Sequence, residues 1–417
     1  MVRAVPLWLE RHLSVMPAHS IMLFDLLSGG HHGQYVRQLV EFWGRSEYRG
    51  RVDVVVPNVF LERHTDVQRS AEAYSNVRIV PIDEPVVFDA RYLLQSSRMH
   101  GRLLRKYLVL LRPDHCLLMY FDHVQLALAL GLRFQYSVKI SGIYFRPSFH
   151  YGSFDRPHPR PKDRLQAVRK RVLLWAALRN PHFRFLFCLD PYVVPFVQAK
   201  HAQAVALPDG VARRSNPQKG TDFRSLWGVK PRRRVAVFFG TISVRKGIYR
   251  LLEAAELLPS EIAMLLCLVI SGRVPGREKA RLAASIERLE RESDVQVVLR
   301  DQFVEEDVIQ AILESSDLVL LPYLRHIGSS GVLVRAALAG VPVMGSNYGL
   351  LGEHLRQRKL GLTVNTTSAK TLAEGLETWL RKPRDIPFDA REAARFAREN
   401  TADAFSNTIF SRMTESA

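Results

Sequence analysis

Short apolar runs alternate with longer segments of helical periodicity along most of this chain. Runs that are apolar at consecutive positions are typical of parallel strands, because helices cover such strands on both faces. Strands are predicted at residues 20–26, 52–56, 77–82, 116–121, 136–140, 184–189, 235–240, 265–271, 295–299, 318–321, 341–344 and 361–364. Helical segments between them are predicted at residues 34–43, 91–111, 125–132, 160–180, 278–291, 305–315, 332–339, 372–380 and 390–410. This order predicts an α/β chain built on parallel sheets.

The pattern is clearest in residues 317–353. Two apolar runs enclose the loop Gly328-Ser329-Ser330-Gly331 and a helical segment that stops at Gly340. The loop would place backbone N–H groups and two hydroxyls at a helix N-terminus, which is a favourable site for an anion. An ordinary βαβ unit with a tight turn is the alternative, since such loops are common in doubly wound folds.

A second glycine-rich turn, Ser28-Gly29-Gly30-His31-His32-Gly33, follows the first predicted strand. Strand, turn and helix in this order are the opening of a Rossmann-like domain, but the turn lacks the dinucleotide-binding spacing of glycines. Polar residues also follow the other strands of this half. We expect Asp25, Asp122, His123 and Ser141 at one rim, because parallel sheets place ligands at the carboxyl ends of their strands.

Two further segments of the first half have open interpretations. The loop 141–151 collects aromatic rings with Arg146 and His150, and it is either a lip that binds an acceptor or a loop fixed by buried rings. The segment 160–180 predicts a basic amphipathic helix with Leu165, Val168, Val172 and Trp175 near one face. Such a helix suits contact with a membrane surface, and a surface helix with a solvated basic side is the alternative.

Charge and cysteine content narrow the class of protein. The 417 residues carry a net charge of +18, which favours anionic partners. Cys116, Cys188 and Cys267 each lie in an apolar run, so buried thiols are expected rather than a metal site or disulfides. No apolar stretch is long enough to span a bilayer, and the N-terminus has no continuous apolar signal core. These features predict a cytoplasmic protein.

The second half contains a spaced set of residues with a recognisable order. Gly240 ends a strand, Lys246-Gly247 opens a helix, and Asp317 and Pro322 flank a later strand. Further along, the matching residues are Ala336, Gly340, Pro342, Val343 and Glu353. This set resembles glycosyltransferase family 4, whose members have the GT-B fold. The resemblance is specific over residues 235–365 and weak before residue 205.

The resemblance implies two Rossmann-like domains that face each other across a cleft. Residues 1–210 would form the acceptor-side domain and residues 232–388 the nucleotide-sugar-binding domain, joined by a linker at 211–231. Residues 389–417 would form a C-terminal helix that returns to the first domain.

The implied reaction moves a sugar from a nucleotide-sugar to a carbohydrate or lipid-linked acceptor, with retention of anomeric configuration and without a cofactor or an obligatory metal. Lys246 and Arg245 would hold the diphosphate, and the loop 328–331 would form a backbone cradle. The expected catalytic residues are His31, His123 and Lys246. The expected donor-binding residues are Gly29, Gly30, Gly240, Thr241, Arg245, Lys246, Gly328, Ser329, Ser330, Gly331 and Arg335. The expected acceptor-side residues are His32, Arg146 and His150.

Three positions depart from the family pattern. Ile327 and Arg335 occupy its two glutamate positions, and Thr241 replaces an arginine after Gly240. A GT-B protein that binds without turnover is therefore one rival hypothesis. A nucleic-acid binder is a second rival, but the basic residues are not interleaved with aromatic ones, so nucleic acid is not expected as a partner. An anionic membrane surface remains a candidate partner, with the protein peripheral on the cytoplasmic face.

Overall fold

The computed structural model describes residues 19–86, 93–132, 137–145, 147, 149–150, 161–201, 203–212, 221–304 and 306–415. The chain divides into two compact units. Unit 1 comprises Met1–Phe145, Val168–Leu207 and Ser406–Ala417, and unit 2 comprises Arg146–Ala167 and Pro208–Phe405. The segment 389–417, predicted as one C-terminal helix, is thus divided between the units at Ser406.

Unit 1 is built on a parallel sheet of seven strands in the order β3-β2-β1-β4-β5-β6-β7. Its strands are β1 His19–Phe24, β2 Gly50–Pro57, β3 Val77–Ile82, β4 His115–Leu118, β5 Lys139–Tyr144, β6 Phe183–Cys188 and β7 Ala204–Ala206. The order reverses beside β1, so the connections from β1 and from β4 leave the sheet in opposite directions. Ligands of open α/β sheets bind at such a switch point.

Helices follow the strands of unit 1 as the apolar periodicity predicts. They are α1 His32–Arg45, α2 Asn58–Arg63, α3 Thr65–Glu72, α4 Leu93–Leu111, α5 Phe121–Ala129 and α7 Val194–Gln198. The α6 helix, Pro161–Leu178, begins in unit 2 and continues in unit 1 from Val168. The α1 helix buries Val36, Leu39, Val40 and Trp43 against the sheet. Phe410, from the C-terminal part of the chain, packs on the same helix, with its ring centroid 4.9 Å from that of Trp43.

Unit 2 has a parallel sheet of six strands in the order β10-β9-β8-β11-β12-β13. Its strands are β8 Arg234–Phe239, β9 Leu266–Ser271, β10 Gln296–Arg300, β11 Leu318–Leu321, β12 Val343–Ser346 and β13 Gly361–Val364. Its helices are α8 Phe223–Leu226, α9 Ile248–Glu256, α10 Ser260–Ala263, α11 Gly276–Glu292, α12 Glu306–Glu314, α13 Gly331–Ala339, α14 Gly349–Gln357, α15 Ala369–Arg381 and α16 Ala390–Glu399. The last helix, α17 Ala402–Glu415, crosses the boundary at Ser406. The prediction of two Rossmann-like α/β units is confirmed.

One predicted strand was placed too early in the chain. The sequence predicted a strand at 136–140 with Ser141 at its exposed end, whereas β5 continues to Tyr144. Ser141 is consequently fully buried inside the sheet. Its hydroxyl oxygen lies 2.8 Å from Nε2 of His115 and accepts the backbone N–H of Phe185. Ser141 therefore belongs to the core of unit 1 and not to the rim at which it was expected.

Candidate functional site

Two cations lie at the carboxyl end of β8 in unit 2. Arg245 and Lys246 end a 3₁₀ turn, Val244–Lys246, just before α9. The ammonium of Lys246 is 3.4 Å from the carbonyl oxygen of Phe239 and 5.5 Å from the centre of the Tyr323 ring. It also lies directly over Gly240, where a Cβ would come within 2.2 Å of Nζ. Gly240 thus leaves the space that the lysine occupies, and its φ of +110° also favours glycine.

The lysine turn is fastened to the segment that follows β11. Gly247 has a φ of +79°, and a Cβ there would lie 1.9 Å from the carbonyl oxygen of Pro322. The backbone N–H of Leu324 donates to the carbonyl oxygen of Arg245 at 2.9 Å. Because β11 pairs directly with β8, these contacts join the carboxyl ends of two neighbouring strands. A side chain at position 247 would separate them.

A histidine connects Arg245 to the glycine-rich loop. Nη1 of Arg245 lies 3.2 Å from Nδ1 of His326, and Nε2 of His326 lies 2.9 Å from the carbonyl oxygen of Ser329. A guanidinium can only donate and a carbonyl can only accept, so these contacts assign the neutral ring with its proton on Nε2. In this tautomer His326 holds Arg245 beside the loop.

The loop 328–331 ends at the N-terminus of α13. Ser330 is the N-cap residue of this nine-residue helix, and its hydroxyl lies 3.3 Å from that of Tyr323. The hydroxyl of Ser329 donates to Oδ2 of Asp209 at 2.5 Å, so it already has an acceptor. Backbone N–H groups at the start of α13 are therefore what this loop offers to a ligand. With Arg245 and Lys246, they form a positively polarised edge suited to a phosphate-bearing ligand.

The corresponding edge of unit 1 contains a buried carboxylate–histidine pair. Nδ1 of His32 lies 2.6 Å from Oδ2 of Asp25, and Oδ1 of Asp25 accepts the backbone N–H of Leu27. Both side chains are buried. The carboxylate requires the ring proton on Nδ1, so in the neutral ring the lone pair lies on Nε2. Among the described residues, Nε2 of His32 has no hydrogen-bond partner.

Aromatic rings surround this pair. The His32 ring stacks on Phe145 with 6.0 Å between centroids, and Phe145 stacks on Tyr120 at 4.6 Å. The ring of His123 lies 4.5 Å from that of Tyr120. Asp122 accepts the backbone N–H of Phe145 and so fixes the segment that carries this ring. The result is a partly exposed aromatic surface beside a histidine that can accept a hydrogen bond.

The glycine-rich turn of unit 1 is anchored on one side and open on the other. Nε2 of His64 lies 3.0 Å from the carbonyl oxygen of Ser28, and Arg63 donates to the hydroxyl of the same serine. Gly29 and Gly30 are exposed, and a Cβ on either would meet nothing within 4 Å. The φ of Gly30 is +68°, so the turn itself favours glycine at that position.

The predicted site residues occupy different environments. In unit 2, Gly240, Arg245, Lys246, Gly328, Ser329, Ser330 and Gly331 belong to one edge of the sheet. Thr241 is exposed beside them, and Arg335 is buried in the second turn of α13. In unit 1, His31 is exposed, whereas His32 and His123 join the aromatic cluster. His150 is buried, with Nδ1 against the carbonyl oxygen of Pro147, and Arg146 lies outside the described residues.

Sequence reasoning did not identify three residues of the unit 2 edge. Tyr323, His326 and Asp209 hold the lysine, the arginine and the loop in place. In unit 1 it named Asp25 and His32 separately but not as a pair. The residues next to these five along the chain form no motif that marks a functional site. Only Asp25 and Asp209 could have been noticed, because they lie near strand ends.

The α6 helix carries an exposed apolar row. Leu165 is 72% exposed, Val168 59% and Val172 61%. Arg164 and Arg169 are exposed on the same helix, and the guanidinium of Arg171 lies over the ring of Phe196. Within the described part of the chain, no helix is long and apolar enough to cross a membrane, and no three potential metal ligands cluster.

Comparisons with known proteins identify a family that part of this chain resembles. Residues 221–400 match the family model of the glycosyl transferases group 1. The D-inositol 3-phosphate glycosyltransferase of Rhodococcus opacus is 31% identical over 208 residues. That match covers 48% of this chain and 46% of the relative, so the chain matches about half the length of this curated protein.

Solved structures match over almost the whole chain. Anabaena HepE in complex with UDP and glucose has a TM-score of 0.61 at 16% identity, covering 96% of this chain and all of that one. Sucrose-phosphate synthase of Thermosynechococcus elongatus has a TM-score of 0.64 at 16% identity, covering 95% of this chain and 99% of that one. Residues 221–400 of this chain thus resemble the glycosyl transferases group 1 family, and its two units have the GT-B fold.

Proposed function

We propose that this protein is a glycosyltransferase that moves a sugar from a nucleoside-diphosphate sugar to a hydroxyl of a carbohydrate or other polyol acceptor. The observation that carries the proposal is the edge of unit 2. There, Arg245, Lys246 and the N-terminus of α13 are held together by contacts with Tyr323, His326 and Asp209. The family match over residues 221–400 supports the same reaction.

The unit 2 edge would act on the leaving group. As the sugar departs, negative charge develops on the nucleoside diphosphate, and fixed cations and helix N–H groups stabilise that charge more than they stabilise the substrate. In this proposal Lys246 and Arg245 bind the diphosphate and the backbone at 329–331 cradles it. These groups can supply the positive charge, so we propose a reaction with no obligatory metal. Retention of configuration is proposed from the family resemblance.

The unit 1 edge would bind the acceptor. Aromatic rings present an apolar face suited to the carbon skeleton of a sugar, and Nε2 of His32 can accept a hydrogen bond from a hydroxyl. Tyr120 and Phe145 form that face beside His32. The name of the Rhodococcus relative indicates an inositol phosphate acceptor for that protein, which is consistent with a polyol acceptor here.

Donor binding followed by turnover tests the proposal. UDP-, GDP-, ADP- and TDP-sugars would be screened by thermal shift, because a ligand that binds the folded protein raises its melting temperature. UDP-glucose is the first candidate, since HepE was solved with UDP and glucose. We expect one nucleotide class to stabilise the protein and its sugar to be transferred or slowly hydrolysed. Absence of any shift with all four classes would contradict the proposal.

A GT-B protein that binds nucleotide-sugars without turnover is the second candidate. It is favoured by Ile327 and Arg335, which stand where the resembled family has glutamates. The two functions separate in one assay, because a binding module would show the thermal shift but no release of nucleotide from a radiolabelled donor, with or without acceptors.

We further propose that the protein is peripheral on an anionic membrane surface through α6. A helix with Leu165, Val168 and Val172 exposed beside arginines has the composition of an interfacial helix. Each Lys or Arg near an anionic surface contributes about 1 kcal/mol, and salt should screen this attraction. The protein should therefore co-sediment with phosphatidylglycerol vesicles at low salt and be released at high salt.

A pair of charge-reversed variants tests this surface. Arg164→Glu/Arg169→Glu should lose vesicle binding, while Arg391→Glu/Arg398→Glu, which makes the same charge change at exposed positions of α16, should retain most of it. Equal pelleting with anionic and neutral vesicles at low salt, or equal loss in both variants, would contradict the α6 proposal.

A further inference from the structure

A groove of about 320 Å³ lies between α4 and α5 in unit 1. Its lining includes Arg98, Arg102 and Arg105, and the other lining residues are Ser97, Gly101, Ala127, Leu130, Gly131 and Leu132. It shares no residue with the Asp25–His32 pair or with the aromatic rings beside it. The groove is therefore a separate feature of unit 1 that the proposed transfer reaction does not use.

The three arginines lie on one face of α4. Their spacing of i, i+4 and i+7 brings the side chains to one side of the helix, where like charges repel. Among the described residues, Arg98 and Arg102 have no hydrogen bond or ion pair, and no lining residue is acidic. In contrast, Lys106 on the next turn is paired with Glu84. The positive charges of Arg98 and Arg102 are thus uncompensated within the described chain.

Small residues shape the floor of the groove. A Cβ at Gly101 would lie 3.2 Å from Cβ of Ala127, so the two helices approach closely at this point. Leu130, at the end of α5, is 65% exposed at the margin. A ligand here would meet guanidinium groups on one side and apolar surface on the other.

We propose that this groove binds a phosphate group of a ligand that also carries an apolar part. Arginine is suited to this task because its planar guanidinium forms paired hydrogen bonds with phosphate oxygens and remains charged at physiological pH. A phosphate would also relieve the repulsion among Arg98, Arg102 and Arg105. The same chemistry is offered by a phosphorylated metabolite in solution and by the headgroup of an anionic lipid.

Calorimetric titration tests the proposal with two probes, inorganic pyrophosphate and monomeric dihexanoyl phosphatidic acid. All proteins carry Lys246→Ala, which removes the lysine of the unit 2 edge from the measurement. The test variant is Arg98→Gln/Arg102→Gln. Both arginine side chains are exposed, so their replacement leaves the core unchanged. The matched control is Arg391→Gln/Arg398→Gln, which removes the same charge from exposed positions of α16.

The test variant should bind at least one probe at least tenfold more weakly than the Lys246→Ala parent. The affinity of the control variant should stay within twofold of that parent. A loss with both probes indicates a site for phosphate from either source, and a loss with the lipid alone assigns the site to a headgroup. The proposal is overturned if the parent binds neither probe, or if both variants lose affinity equally. The latter result would show a general effect of charge. All of these results are binding measurements, and none of them depends on sugar transfer.

Discussion

The two units use the same architecture but differ in the chemistry at the carboxyl edges of their sheets. Unit 2 presents Arg245 and Lys246 beside the start of a helix. His326 holds Arg245 at the glycine-rich loop, and the ammonium of Lys246 lies against the carbonyl oxygen of Phe239 at the end of β8. Unit 1 presents a carboxylate–histidine pair among aromatic rings. Since a parallel sheet fixes only where its edge lies, the residues at that edge decide which ligand it suits.

This difference separates two tasks. Fixed positive charge suits the diphosphate of a donor, whereas a histidine lone pair beside aromatic rings suits an uncharged, hydroxyl-bearing ligand. If the separation holds, substitutions at one edge should change one ligand and spare the other. The following changes test it, from the largest expected effect to the smallest.

Lys246→Ala should lower sugar transfer about 100-fold, because it removes a fixed cation at the developing diphosphate charge. The melting temperature should change little, since the ammonium makes a long contact with Phe239 and lies at the edge of the fold. Steady-state kinetics with the identified donor measures the effect, and Lys370→Ala, at an exposed position of α15, is the control. A donor kcat/KM within twofold of the parent would show that the diphosphate lies elsewhere.

Asp25→Asn should lower transfer by roughly tenfold, in line with loss of a hydrogen bond to a charged group. The amide no longer requires the proton on Nδ1 of His32, so the ring can adopt the tautomer that lacks a lone pair on Nε2. Donor affinity should be unchanged, and His32→Gln should behave similarly. An effect confined to melting temperature, with kinetics unaltered, would assign the pair a purely structural role.

Arg335→Glu should alter nucleotide affinity or base preference several-fold, because it reverses a buried charge in α13, the helix that begins at the glycine-rich loop. The measurement is a parallel titration of UDP, GDP, ADP and TDP. Unchanged affinity for all four nucleotides in a correctly folded variant would mean that Arg335 points away from the ligand.

The stability of unit 1 should fall in acid because of His115. Burial lowers the pKa of this histidine to about 3, whereas its ordinary value is 6.5. Between these values the unfolded chain binds a proton that the native state does not, so stability decreases as pH falls from about 6.5 towards 3, by at most about 1.4 kcal/mol per pH unit. His115 lies in β4, so this contribution arises in the sheet of unit 1, and no strand of the described unit 2 sheet contains a histidine.

Urea unfolding of the parent and of His115→Gln at pH 7 and pH 5 checks this expectation. The variant should lose less stability between the two pH values, although it is less stable at pH 7. An identical pH dependence in both proteins would show that His115 is not responsible.

Local patterns explain which parts of the molecule could be predicted from sequence. The strands of unit 2 and the turn at Lys246 follow from apolar runs and glycines that lie close together along the chain, and both were identified. Ser141 was misplaced because an apolar run does not fix the residue at which a strand ends. Ser329 and Asp209 are 120 residues apart, so their contact depends on tertiary packing that no local pattern reports.

The separation of tasks between the two edges is tested most directly by calorimetric titration of UDP, or of whichever nucleotide the donor screen selects, into three proteins. These are the parent, Lys246→Ala and His32→Gln. The account predicts at least tenfold weaker nucleotide binding by Lys246→Ala and binding by His32→Gln within twofold of the parent. Unchanged binding by Lys246→Ala, or an equal loss in both variants, would contradict it.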